Sequence, residues 1–218
     1  MKKILLSLFG LILPILMSGC TSAVKLEDSM SEITKLYFIA EANGVNANIS
    51  VGEREEDYII DGNHTKNVDF SLIAIKFDNL LPENKIEVDV LINNVESKET
   101  LELNPANHYY MTDLGYALNV DDVVQIKYEN FNLNFENVSN SFGVNYTQAL
   151  EIATRELGAK MDGYYNGKDF NGEGYLKVLT GQNEEDDGLF WVLTIVGKNN
   201  LKNNVVLSVV NGEIIISD

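Results

Sequence analysis

The chain has few of the residues that carry most enzyme chemistry. In 218 residues it holds one cysteine, Cys20, two histidines, His64 and His108, and one tryptophan, Trp191. A serine triad or a zinc centre needs histidine partners that converge. The two histidines lie far apart in turn-like settings, and no G-x-S-x-G or H-E-x-x-H pattern is present. With a single cysteine, the fold must hold without an internal disulfide. Basic residues are scarce, 16 against 33 acidic, for a net charge of −17. A polyanion of this kind is repelled by phosphates and by anionic lipid heads, which argues against nucleic acid as a partner. Long hydrophobic runs are also missing beyond residue 17. The longest later run, Leu189–Val196, falls far short of the roughly 20 residues that a membrane-crossing helix needs.

What is present begins at the start. Lys2 and Lys3 precede an apolar run from Ile4 to Met17, which contains Pro14 and is followed by Ser18-Gly19-Cys20. A charged start, a short apolar core and a small-residue cut site read as a signal peptide, not as a spanning helix. The segment resembles a bacterial lipoprotein signal with its lipobox, with Met17 standing where the family usually has Leu. The resemblance implies cleavage after Gly19 and lipidation of Cys20, so that residues 1–19 are a leader and 20–34 a lipidated cysteine with a flexible tether. Losing Lys2 and Lys3 would take the net charge from −17 to −19. Two acyl chains anchor stably where one does not. The expected location is therefore the extracytoplasmic face of the cell membrane, with the membrane itself a partner through Cys20. The polar stretch Thr21–Ser31 would reach only roughly 20 Å as a flexible leash.

From Lys35 to Glu136 the pattern has period two. Val45, Ala47, Ile49 and Val51 alternate with polar residues, as do Ile86, Val88, Val90 and Ile92, then Leu101 and Leu103, then Val124, Ile126 and Tyr128, then Leu133 and Phe135. Strict alternation marks half-buried strands. Asn43-Gly44 signals a hairpin, Asp61-Gly62 and Asn93-Asn94 mark further turns, and Phe70–Phe77 is apolar enough for a central strand. Seven or eight short strands with regular turns predict a β-sandwich of immunoglobulin-like type over residues 35–136. The polar segment 137–144 is expected as a linker.

The period then changes. Tyr146, Ala149, Leu150, Ala153 and Leu157 follow helical spacing, with Asn145 as N-cap, Gln148 as its capping-box partner and Gly158 as the stop. Strands are expected at Tyr175–Thr180, Leu189–Val196, Asn204–Val210 and Glu213–Ser217, the last two joined through Asn211-Gly212. A helix followed by a strand meander is an α+β unit with the helix packed on one antiparallel sheet. The helix residues Gln148–Ala153, the strand Trp191–Val196 and the closing run Val205–Ile215 resemble a PepSY-like domain, covering residues 145–218. That resemblance implies protein contacts or restraint of peptidases, and it brings no catalytic residue.

Several motifs compete for a role. Asp169, Asn171, Glu173 and Gly174 loosely match the first positions of a calcium loop, but Thr180 stands where a bidentate Glu is needed and no flanking helices are expected. The alternative is a glycine-rich connection between strands. Glu184–Asp187 is either a cation-attracting run or a solvated loop. Tyr164 and Tyr165, in a polar loop, are candidates for partner contact, whereas Trp191 belongs to a core strand. The expected function is a non-catalytic protein-binding module at the cell envelope, its partner an envelope or secreted protein and no cofactor required. The alternatives are an inhibitor or regulator of a secreted peptidase, and capture of a metal ion or cell-wall glycan.

Overall fold

A computed structural model describes residues 26–42, 44–56, 65–181, 188–197 and 201–218. The first eight strands are β1 (Glu32–Ala42), β2 (Val45–Glu55), β3 (Asn67–Phe77), β4 (Lys85–Ile92), β5 (Val95–Asn104), β6 (Tyr109–Asp113), β7 (Val124–Tyr128) and β8 (Phe131–Asn137). They pair in the order β1-β2-β3-β6-β5-β4-β7-β8, all antiparallel, and β8 returns to β1 through Phe38 opposite Asn137 and Ile39 opposite Glu136. The result is a closed eight-stranded barrel, not the immunoglobulin-like sandwich that the alternation suggested. Strands β2, β4, β5, β7 and β8 fall where the period-two runs lie, and β3 falls over the apolar stretch Phe70–Phe77. Alternation fixes which side chains face inward, but a sandwich and a barrel share it. What separates them here is one pairing between residues about a hundred positions apart, which no local pattern records.

An eight-stranded barrel is just wide enough for side chains to fill its interior. Phe38, Ile49, Ile73, Val88, Val90, Leu101, Ile126 and Leu133 do so, all but wholly buried. One end is closed by Tyr110, whose hydroxyl donates to the Glu83 carbonyl at 2.6 Å, and by Phe77, which meets Tyr110, Tyr128 and Phe131 edge-on. The other, where the chain enters β1, is the entry end. There Leu118 is buried in the same core, and its N–H donates to the Ser71 hydroxyl at 3.0 Å. Outward positions carry charge: Lys98 pairs with Asp89 and Glu87, and Lys85 with Glu102. Apolar inside and charged outside is the reverse of a barrel that faces lipid.

The remaining elements are α1 (Tyr146–Leu157), a two-stranded hairpin of β9 (Tyr165–Asn166) and β10 (Asp169–Phe170), then β11 (Gly172–Thr180), β12 (Leu189–Gly197), β13 (Lys202–Ser208) and β14 (Ile214–Ser217). Helix α1 has the expected bounds and caps: Gln148 N–H donates to Asn145 Oδ1 at 2.9 Å, and Asn145 N–H to Gln148 Oε1 at 3.0 Å. Its Ala149, Leu150, Ala153 and Leu157 pack with Trp191, Leu193, Ile195, Val205 and Leu207 into a second core. The expected separate α+β domain of PepSY-like type is nevertheless overturned. Strand β11 pairs in parallel with β1 through Glu32–Tyr175 and Ile33–Leu176, so one twelve-stranded sheet runs from the barrel through to β14. A parallel contact of two residues joins segments far apart in sequence and leaves no local trace.

Strand β1 is the shared member. Its first residues pair with β11 and its later ones with β8, with a register shift between Thr34 and Leu36. Residues 32–34, expected in the tether, begin this strand. Residues 137–144, expected as a linker, hold the last residue of β8 and a 3-10 turn, Val138–Ser141. At the fork, the Tyr37 N–H donates to Ser139 Oγ at 2.5 Å, so a side chain satisfies a backbone group that neither neighbouring strand reaches. Opposite the shift sits Gly52, where a Cβ would lie 1.8 Å from the Ile33 carbonyl oxygen. Only glycine permits that approach. Asn43, Asp61-Gly62 and the tether through residue 25 lie outside the described residues.

Candidate protein-binding face

The residues expected to carry function are distributed by the structure in ways their sequence setting did not announce. Cys20, His64 and Glu184–Asp187 lie outside the described residues. Tyr164, expected at a surface, is 1% exposed in the second core. Its hydroxyl donates to Asn203 Oδ1 at 2.6 Å, and burial raises its pKa. Tyr165 is half-buried, edge-on to Phe170 with centroids 5.5 Å apart. The hairpin that turns at Gly167-Lys168 sets Phe170 opposite Tyr165 and against both rings, so the pair offers a partner little surface. Trp191 is core, as expected, its indole N–H donating to the Val144 carbonyl at 2.8 Å.

The loose calcium pattern also disperses. Asp169 is exposed on β10, the Asn171 N–H donates to the Tyr164 carbonyl at 2.7 Å, and Glu173 is 2% exposed and accepts a hydrogen bond from the Ser31 hydroxyl. Among the described residues, no three His, Cys, Asp or Glu side chains group so as to hold a metal ion. Glu173 belongs instead to the junction of barrel and flanking sheet. Glu32, Glu55 and Glu173 are all buried there, with Lys177 Nζ 2.9 Å from Glu32 Oε2. Burial, then the charges of Glu173, Glu55 and Glu32, push the Tyr175 pKa up to about 12 against a weaker pull from Ser31. Sequence reasoning missed this cluster because Ser31 and Glu32 were assigned to the tether and Glu173 to a loop. It ties the two halves together. A shallow dent of about 560 Å³ lies beside Glu53, Lys66, Asp69 and Tyr116, and its lining holds no convergent catalytic set.

The surface that stands out is the far side of the flanking sheet. Helix α1 covers the face bearing Trp191, Leu193, Val205 and Leu207. Registers place Val192, Val206 and Ile216 side by side on the opposite face, and Leu179 beside Phe190 in the next row. Nothing among the described residues packs as a layer on that face, and Leu179 and Ile216 are exposed. The row ends at β14, the last strand of the sheet. Asn204 and Asp218 exchange backbone hydrogen bonds at 3.3 and 3.1 Å, so alternation turns the N–H and C=O of Ser217 away from β13. Natural edges are usually blunted by charge or bulges. The half of β5 that β6 does not reach follows that rule with Glu96, Lys98 and Glu99. Strand β14 does not: it reads Ile-Ile-Ile-Ser, with Ile215 and Ile216 about half exposed.

The geometry suits an extended segment added along β14, whose alternate side chains would extend the Val192–Val206–Ile216 row beyond Ile216. Acidic Glu213 and Asp218 flank the strand. No family model matches the chain, and neither the curated proteins nor the solved structures contain a significant match to it.

Proposed function

We propose that the protein is a lipid-anchored, extracytoplasmic module without catalytic activity that binds an extended segment of another envelope or secreted protein. The observation that carries this reading is the edge of β14, uncharged and, among the described residues, uncovered, and continuous with an apolar sheet face. The anchor rests on Cys20 and the lipobox-like residues before it. A packed barrel with both ends plugged supplies a rigid body rather than a ligand cavity.

Charge selects the partner. Glu213 and Asp218 favour a strand whose ends are basic and whose middle alternates apolar and polar residues. A second copy is the poorer occupant, because antiparallel pairing of Ile215 with Ile216 of another copy sets Glu213 opposite Asp218. The test uses the soluble chain from Thr21 and a lysine-flanked peptide of alternating valine and threonine, with binding read by fluorescence anisotropy. Binding is expected, and Ser217→Pro, which removes an outward N–H while sparing the bonds to β13, is expected to abolish it. A glutamate-flanked peptide should bind far more weakly. Equal binding to Ser217→Pro, or none to the native chain, sinks the edge-docking reading.

A further inference from the structure

The entry end of the barrel carries a second exposed apolar group, unrelated to β14. The Asn93-Asn94 turn joins β4 to β5 with both residues at positive φ, 51° and 68°, a geometry that asparagine tolerates. Beyond it Val95 is 73% exposed. Val123, 71% exposed, is held beside the turn: its N–H donates to Asn93 Oδ1 at 3.0 Å, and its carbonyl accepts from the Asn93 N–H at 2.9 Å. Val120, 41% exposed, has its carbonyl held by Asn137 Nδ2. Tyr116, 48% exposed, is fixed through its carbonyl to the Ser71 hydroxyl at 2.7 Å and lies near Glu99 and Asp122. These side chains are not loop fringe. Leu118 anchors their segment in the barrel core, and Asp122 accepts hydrogen bonds from Asn93 and Asn119.

Strand registers put this group at the end where the chain enters. Glu32 is opposite Arg54, Glu55 opposite Asn67, Leu72 opposite Asp113, and Ile92 opposite both Val95 and Val124. Ser31 accepts a hydrogen bond from the Glu55 N–H, so the segment from Leu26 meets the barrel at that end. If Cys20 carries lipid, six residue steps to Leu26 span at most about 20 Å. The entry end is then held near the bilayer, and an apolar rim with one tyrosine is the surface that suits its interface.

We infer that the entry-end rim of Tyr116, Val95, Val120 and Val123 rests on the lipid surface, fixing the orientation of the anchored body so that the barrel stands between the membrane and its opposite end. This rests on the lipid anchor proposed above. Glu96, Glu99, Asp121 and Asp122 border the rim, so the contact is with zwitterionic headgroups, and anionic lipid weakens it.

The full lipidated chain is tested in phosphatidylcholine vesicles carrying a nitroxide at headgroup depth. With Cys20 blocked by its lipid, Val123→Cys or Asn130→Cys supplies a single thiol for a fluorophore, the latter in the β7–β8 turn at the opposite end. Quenching several-fold stronger at position 123 than at 130 is expected, falling toward equality when phosphatidylglycerol replaces much of the phosphatidylcholine. Equal quenching at both positions in phosphatidylcholine overturns the orientation while leaving the anchor intact. A chain that takes no lipid at Cys20 and stays in the supernatant overturns both.

Discussion

The barrel and the flanking sheet are built from the same kind of strand, yet they end differently. The barrel closes on itself, fills its interior, plugs both ends and sets lysines against carboxylates on its outside. The flanking sheet covers one face with α1 and, among the described residues, leaves the other face and its last strand open. Closure pairs the barrel strands on both sides along most of their length, and the half of β5 that β6 does not reach carries charge, which leaves little to recognise. Incomplete closure leaves unpaired backbone groups beside apolar side chains, which is what strand addition requires. The difference lies less in composition than in where a sheet stops.

The comparison breaks most sharply in the second core. Trp191→Ala removes its largest side chain and a buried hydrogen bond, and a loss of about 3–5 kcal/mol is expected by urea unfolding. If the barrel signal in near-ultraviolet circular dichroism melts in the same transition, the two cores are one cooperative unit. Two separate transitions would show that the two-residue β1–β11 seam couples them weakly.

Gly52→Ala attacks the seam itself. The Cβ meets the Ile33 carbonyl, so β1 must move, at a cost of roughly 1–3 kcal/mol or more in the urea midpoint. An unaffected midpoint would mean that the register shift in β1 is soft.

Alkali probes the same junction. Burial foremost pushes Tyr37 up to about 12, and Tyr175 is pushed to the same value by burial and its acidic neighbours. The unfolded chain ionises near 10, earlier than the folded one. The stability these tyrosines contribute is therefore whole below pH 10 and lost as pH rises through about 12. Tyr37→Phe and Tyr175→Phe should each flatten the fall in urea midpoint between pH 9 and 12. A fall unchanged in both variants would place its cause elsewhere.

The smallest expected change in stability lies at the open edge. Ile216→Lys exchanges an exposed side chain, so its unfolding midpoint should shift by no more than about 0.5 kcal/mol while peptide binding is lost. A large loss of stability would show that β14 belongs to the core rather than to a binding edge.

Local chemistry was legible wherever a few neighbouring residues decide the outcome. Helix α1 follows from apolar spacing and the Asn145–Gln148 pair. The strands follow from alternation, and the Asn93-Asn94 turn from the tolerance of asparagine for positive φ. The site was less legible. Tyr164 and Tyr165 sit in a stretch of Gly, Asn and Asp that reads as a surface loop, yet the hairpin turns their rings into the core. Glu173 reads as a loop ligand and is a buried partner of Ser31, 142 positions away. Nothing within a short window distinguishes these fates.

By itself, then, the sequence determined where the helix and the alternating strands form, which of their side chains turn inward, the strong negative charge and the absence of an internal disulfide. These depend on spacing and residue type over a few positions. Only the tertiary structure decided that the strands close into a barrel, that β1 serves two neighbours, and that β14 is the last strand of the sheet among the described residues. Those outcomes rest on backbone pairings between distant segments, and a backbone hydrogen bond carries no signature of the side chain beside it.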